Sequence, residues 1–71
     1  MSVIARRRNG WLTVHNLSHE TITNVRAVGV GVLAPALGPG PSTPRQGCEA
    51  VQHVLYVDAS GAQQRIGVRD D

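Results

Sequence analysis

The sequence predicts an all-β protein of four to six short strands, folded as a small β-sandwich or a partly open barrel. Three observations support this class. β-Branched residues are concentrated in short runs, and turn-forming Asn, Asp, Gly and Pro separate these runs. No segment carries the 3.6-residue periodicity of an amphipathic helix. At 71 residues the chain has room for one hydrophobic core, which excludes a large enzyme with a deep cleft.

The predicted strands follow from alternation and from turn signals. In the longest extended run the apolar residues change phase, so we expect a bulge or bend near residues 26–29. Asp58-Ala59-Ser60-Gly61 is typical of a hairpin turn. The extended segments are 10–15, 21–33, 48–57 and 62–68. The predicted core consists of the apolar residues that these strands turn inward: Leu12, Val14, Val25, Val51, Leu55, Ile66 and Val68.

Charge divides the chain into two predicted parts. Residues 1–9 are predicted as a basic N-terminal arm, mobile by itself, with three of the seven arginines and no acidic residue. Residues 10–71 are predicted as a single β domain, with four arginines and five acidic residues and hence a net charge of −1. Within it, residues 34–46 hold all four prolines and are predicted as a stiff loop.

The residue types that carry chemistry do not form a recognisable active site in the sequence. Cys48 has no partner for a disulfide, and His15, His19 and Cys48 lack a close fourth ligand for a metal. Cys48 and His53 would point to opposite faces of one strand. The Gly-Pro-Gly at 38–40 lacks the N–H donors of a phosphate loop. We therefore predict a non-enzymatic protein with no catalytic residues, no cofactor and no metal.

Targeting signals are also weak in this sequence. No stretch has the roughly 20 apolar residues needed to span a bilayer, and no apolar segment follows the arginines as a secretory signal requires. We therefore expect the cytoplasm of a bacterial host, and then a virion if the protein is phage-encoded. Asn16-Leu17-Ser18 fits the glycosylation pattern, and without export we interpret it as a turn.

Several short motifs resemble those of small bacterial and phage immunoglobulin-like β-sandwiches. The segment 13–18 resembles their strand that ends in Asn-x-Ser, and 21–25 resembles the turn into the next strand. The Pro-Gly stretch at 37–42 and the turn at 58–61 resemble their inter-sheet loop and last hairpin. The resemblance covers about residues 11–68 and implies a binding or structural module of immunoglobulin-like fold, with no catalytic residue.

Two segments are predicted to face a partner. Adjacent arginines can bind carboxylates or phosphates, and prolines present a fixed shape at little entropic cost. Trp11 either caps the core or, if Leu12 and Val14 face inward, lies on the outer face as an interface anchor. The predicted partner-binding residues are Arg6, Arg7, Arg8, Trp11, Pro39, Gly40 and Pro41.

From these features we expect a phage virion accessory protein, associated with a capsid or a tail, that binds protein subunits as a homo-oligomer or within a larger assembly. A small phage or bacterial inhibitor of an enzyme or of a nucleic-acid complex is the alternative. A nucleic-acid binder that uses the arginine arm is a third and less favoured interpretation.

Overall fold

A computed structural model of the protein describes residues 2–70. Met1 of the predicted arm and Asp71 of the predicted domain lie outside the described residues. Between residues 2 and 70 the chain forms seven strands and no helix, so this part holds no helix that could cross a membrane. The all-β prediction is confirmed, with more strands than the four to six expected. The strands are β1 (Val3–Arg8), β2 (Trp11–Asn16), β3 (Ile22–Ala27), β4 (Gly31–Leu37), β5 (Gly40–Pro41), β6 (His53–Val57) and β7 (Gln63–Asp70).

The seven strands join into one curled sheet in the order β4-β3-β6-β7-β1-β2-β5. Neighbouring strands are antiparallel except β1 and β7, which run parallel. The first half of β7 pairs with β6, and its last residues pair with β1, so this long strand carries the sheet around a corner. The result is the partly open barrel of the prediction. One curled sheet thus takes the place of the two facing sheets of an immunoglobulin-like sandwich.

The barrel has a gap between β4 at one end of the sheet and β2 near the other, where no backbone ladder joins the strands. Side-chain hydrogen bonds cross this gap. Asn16 at the end of β2 donates Nδ2 to the carbonyl oxygen of Leu37 in β4 over 3.0 Å. Arg45 pairs with Leu12 through the backbone and donates Nη1 to the carbonyl oxygen of Val32 over 3.1 Å. The edge of β4 is therefore tied to β2 by two side-chain hydrogen bonds about one strand length apart.

The predicted N-terminal arm is wrong for the residues that the structure describes. β1 lies inside the sheet between β7 and β2, and its Val3 and Ala5 are buried. The cause is a two-residue turn at Asn9 and Gly10, whose φ angles of 53° and 81° are both positive, as a type I′ hairpin turn requires. Asn-Gly between two extended runs is the sequence signal for such a hairpin turn. The three arginines before Asn9 led instead to the interpretation of residues 1–9 as a basic arm.

The predicted extended run at 21–33 is two strands rather than one. Residues 28–30 turn the chain back, and the amide of Val30 donates to the carbonyl oxygen of Ala27 over 3.1 Å. The change of phase in the sequence has a structural counterpart, because the pairing of β3 shifts register between Val25 and Arg26. The expected irregularity is thus present, but the chain also reverses where only a bend was predicted.

The predicted loop at 34–46 is wrong at both of its ends. Residues up to Leu37 continue β4, where Pro35 is tolerated because β4 lies at the edge of the sheet. The short strand at 40–41 then pairs with the end of β2, and Arg45 pairs with Leu12. The proline-rich segment is therefore laid along β2 as an irregular edge.

The core confirms five of the seven predicted inward residues, and Val68 is partly buried against them. The prediction for Leu55 is wrong, because β6 turns Val54 and Tyr56 inward. A turn that begins at Cys48 separates Val51 from β6, so alternation cannot be continued across that turn. The buried apolar residues are Val3, Ala5, Leu12, Val14, Ile22, Val25, Ala27, Cys48, Val51, Val54, Tyr56 and Ile66.

Candidate functional site

The outer face of the β1–β2 hairpin is basic and aromatic. Residues directly opposite each other in an antiparallel pair project to the same side of the sheet. Leu12 and Val14 of β2 are buried in the barrel, so the residues between them face outward. The outward pairs are Arg8 with Trp11, Arg6 with Thr13, and Ile4 with His15.

These outward side chains line an open groove of about 560 Å³. Trp11 stands at one end of it with 44% of its surface exposed, a large fraction for the only tryptophan of a small protein. Of the two interpretations of Trp11 that the sequence left open, a cap on the core or an outward anchor, the structure shows the outward position. The residues that line the groove are Arg6, Arg8, Asn9, Trp11, Thr13, His15 and Pro44.

Positive charge on this face has no counter-charge among residues 2–70. Arg69 of β7 pairs with Arg6 across the parallel ladder and therefore projects to the same side. The ion pair between Arg7 and Asp70 is the only salt bridge among residues 2–70. Arg6, Arg8 and Arg69 consequently have no carboxylate partner within that part of the chain. Arg69 was missed by the sequence analysis, because nothing in the sequence indicated that the two chain ends lie side by side.

Arg7 is the exception among the three adjacent arginines, and the structure corrects its predicted role. Its side chain is only 14% exposed and turns toward the end of the barrel. Nη1 donates to the carbonyl oxygens of Cys48 over 3.0 Å, Glu49 over 2.9 Å and Val51. Nε and Nη2 donate to the two carboxylate oxygens of Asp70 over 2.6 and 3.0 Å. Arg7 is therefore a structural clamp, and its hydrogen bonds lower the pKa of Asp70.

The proline-rich segment forms the wall of the groove along β2. Pro41 pairs with His15. The amide of Ser42 donates to the carbonyl oxygen of Val14, and the Oγ of Ser42 accepts from the amide of Val14. Pro44 lines the groove itself. Of the loop residues predicted to bind a partner, Pro41 lies beside the groove, whereas Pro39 and Gly40 lie outside its lining.

A second concave region of about 540 Å³ lies at one end of the barrel, next to the β6–β7 turn. Two acidic residues, Glu20 and Asp58, line this region, and the Asp58 carboxylate is engaged by the turn. Ser60, Gln64 and the amide of Ala62 donate hydrogen bonds to it, and these lower the pKa of Asp58 to about 2. Burial, together with the Asp58 charge, raises the pKa of the neighbouring Tyr56. These groups hold the hairpin in place, and the predicted turn at 58–61 is confirmed.

The other chemical candidates are scattered. Cys48 is completely buried with its Sγ 3.9 Å from the carbonyl oxygen of Gln46, whereas His53 is exposed at the start of β6. His15 lies on the outer face and His19 in the β2–β3 turn. No three His, Cys, Asp or Glu side chains come together among residues 2–70 as a metal site would require.

Asn16, interpreted from the sequence as part of a turn, is a buried structural residue. Nδ2 donates to the carbonyl oxygens of Glu20 and Leu37 over 2.8 and 3.0 Å. Oδ1 accepts from the amide and the hydroxyl of Ser18 over 3.1 and 2.6 Å. Both donors and both acceptor positions of the amide are thus used, which is what burial of a polar side chain demands.

In comparisons with protein-family models, curated proteins and solved structures, the chain matches none of them. The functional argument therefore rests on the groove over β1 and β2 and on the chemistry of the side chains that line it.

Proposed function

We propose that this protein is a non-enzymatic binding protein that holds an anionic macromolecule against the outer face of β1, β2 and the end of β7. One observation carries the proposal: Arg6, Arg8 and Arg69 share this face without a carboxylate partner in the described residues, next to an exposed tryptophan. Like charges on directly adjacent strands destabilise a sheet. An external anion would remove that repulsion.

The rigidity of this surface supports the same function. Arg6 and Arg8 project from a strand in the middle of the sheet, and the hairpin that carries them is paired over six consecutive positions. Their backbone is therefore ordered before any partner arrives, so binding does not bear the 1–2 kcal/mol per residue that ordering a flexible arm costs. Arginine also forms paired hydrogen bonds with carboxylates and phosphates.

The narrower expectations from the sequence stay predictions within this proposal. They are a phage virion accessory role, binding to capsid or tail subunits, and a bacterial cytoplasm or a virion as location; an inhibitor is the alternative. Self-association would use a different surface, since Val28, Val30 and Val32 are exposed around the β3–β4 turn.

The proposal is tested by retention on immobilised heparin, a linear polyanion, in a salt gradient. We expect Arg6→Gln and Arg8→Gln to elute at clearly lower salt than the unaltered protein. Arg65→Gln is the matched control: it removes the same charge from an exposed arginine of β7 that lies outside the groove. Thermal melting should show all three variants folded. Equal shifts for Arg65→Gln and the groove variants would mean that net charge, rather than this face, binds the polyanion.

A further inference from the structure

We infer that the anionic partner is a single-stranded nucleic acid, whose phosphates bind the arginines while a base stacks on Trp11. This inference rests on the proposed function and adds the class of partner. Proteins that bind single strands combine a basic groove along the backbone with aromatic side chains on which bases stack. The groove over β1 and β2 has both parts in neighbouring positions.

The spacing of the arginines suits an extended phosphate backbone. Arg6 and Arg8 are two residues apart on one strand and hence separated by about 6.7 Å along it. That separation is comparable to the distance between successive phosphates of an extended single strand. Arg69 lies on the adjacent strand, about 4.8 Å to the side of Arg6, and can share a phosphate with it.

The position of Trp11 suits a stacking contact with a base. Trp11 is directly opposite Arg8, so a nucleotide whose phosphate contacts Arg8 has its base within reach of the indole ring. Thr13 and His15 continue the same row of β2 and offer hydrogen-bonding groups to the next nucleotides. Phosphate and base contacts would thus follow two parallel lines, β1 and β2.

A double helix and an acidic protein surface fit this face less well. In a duplex the bases are stacked inside, where Trp11 could not reach them without separating the pairs. β1 is flanked by β7 as well as β2, so the hairpin does not protrude as a ribbon that could enter a major groove. An acidic protein would satisfy the arginines, but its carboxylate side chains would offer the exposed indole no aromatic ring to stack on.

The test uses fluorescein-labelled 12-nucleotide oligo(dT), an abasic strand of the same length, and a 12-base-pair duplex, with binding followed by anisotropy. We expect oligo(dT) to bind several-fold more tightly than the abasic strand or the duplex. Because Trp11 is the only tryptophan, its own fluorescence should be quenched by oligo(dT) and not by the abasic strand. With three phosphate contacts, log K should fall with log salt at a slope of roughly −2.

Two variants separate the two kinds of contact. Trp11→Leu should weaken oligo(dT) binding by roughly five- to a hundred-fold and leave binding of the abasic strand unchanged. Arg6→Gln should weaken both strands and make the salt slope shallower by about 0.7. Arg65→Gln, which changes an arginine outside the groove, should leave the slope and the ratio of the two affinities unchanged.

The possible failures are distinguishable. Equal affinity for oligo(dT) and the abasic strand, or an unchanged ratio in Trp11→Leu, would overturn the nucleic-acid inference. The proposed function would then stand if heparin retention still depended on Arg6 and Arg8. If a poly-glutamate peptide binds as tightly as oligo(dT), the partner would instead be an acidic protein. If Arg6→Gln and Arg8→Gln change neither heparin nor strand binding, the proposed function fails as well.

Discussion

The β1–β2 and β3–β4 hairpins are built from the same kinds of residues and differ in regularity. The first has a two-residue turn and six consecutive pairs from Val3–Asn16 to Arg8–Trp11. The second has three residues in its turn and a shift of register between Val25 and Arg26. The first hairpin lies toward the middle of the sheet, whereas β4 of the second forms an edge.

Regular pairing is what separates a core face from a binding face. In β1 and β2 strict alternation turns the apolar residues inward and leaves Arg6, Arg8 and Trp11 outward on a fixed surface. In the second hairpin alternation is interrupted, and Val28 and Val32 are each 51% exposed. A regular hairpin can therefore carry functional side chains at defined positions, while the irregular one leaves apolar side chains in solvent.

The largest expected effect is on stability, when the same substitution is made in the two hairpins. Val14→Ala in β2 removes a completely buried side chain and should lower the free energy of unfolding by roughly 2–3 kcal/mol. Val32→Ala in β4 removes an exposed one and should change it by less than about 0.5 kcal/mol. Urea unfolding followed by Trp11 fluorescence measures both. Similar losses would mean that β4 is covered in solution, as it would be in a dimer.

A second comparison uses the two asparagines of these hairpins. Asn16→Gly should lower the free energy of unfolding by about 1–3 kcal/mol, because it leaves the carbonyl of Leu37 and the groups of Ser18 and Glu20 without their partner. Asn24→Gly should be near neutral, because Asn24 is exposed and its φ of 54° suits glycine. Thermal melting of the pair tests this, and a larger loss for Asn24→Gly would contradict the assigned role of Asn16.

The smallest expected effect is on stability at acid pH, and it concerns the third hairpin, β6–β7. The folded-state pKa of Asp58 is lowered to about 2 by hydrogen bonds from Ser60, Gln64 and Ala62. A lowered pKa stabilises the fold above the unfolded value near 4, and that contribution is lost as the pH falls from about 4 to 2. Asp58→Asn should therefore flatten the dependence of the melting temperature on pH in that range.

Glu20→Gln is the control for the acid experiment, since the Glu20 carboxylate accepts no hydrogen bond within residues 2–70 and its backbone contacts are kept. Glu20→Gln should leave the dependence of the melting temperature on pH in this acid range as in the unaltered protein. An unchanged slope in Asp58→Asn would show that the turn hydrogen bonds do not hold the carboxylate in solution. The Arg7–Asp70 pair would then be the next group to examine.

Local patterns in the sequence were sufficient for several features of the molecule. The β-branched runs and the turn at 58–61 depend only on alternation and on turn chemistry within a few residues. The same local reasoning failed at β1 and at Leu55. At β1 the three arginines favoured a basic arm over a strand that ends at the Asn9-Gly10 turn. At Leu55 the predicted inward position was wrong because a turn before β6 interrupts the alternation.

Residue types and their local order were enough to predict an all-β chain, a core built mainly from valine, leucine and isoleucine, and a cluster of arginines near the start. The role of each arginine, in contrast, depends on how the strands pair in the folded sheet. Arg7 faces inward as a clamp because it lies on the same side of β1 as the buried Val3 and Ala5. Arg6 and Arg69 share one outer face because β1 pairs with β7, although the two arginines are more than 60 residues apart in the sequence. No local pattern encodes such a contact.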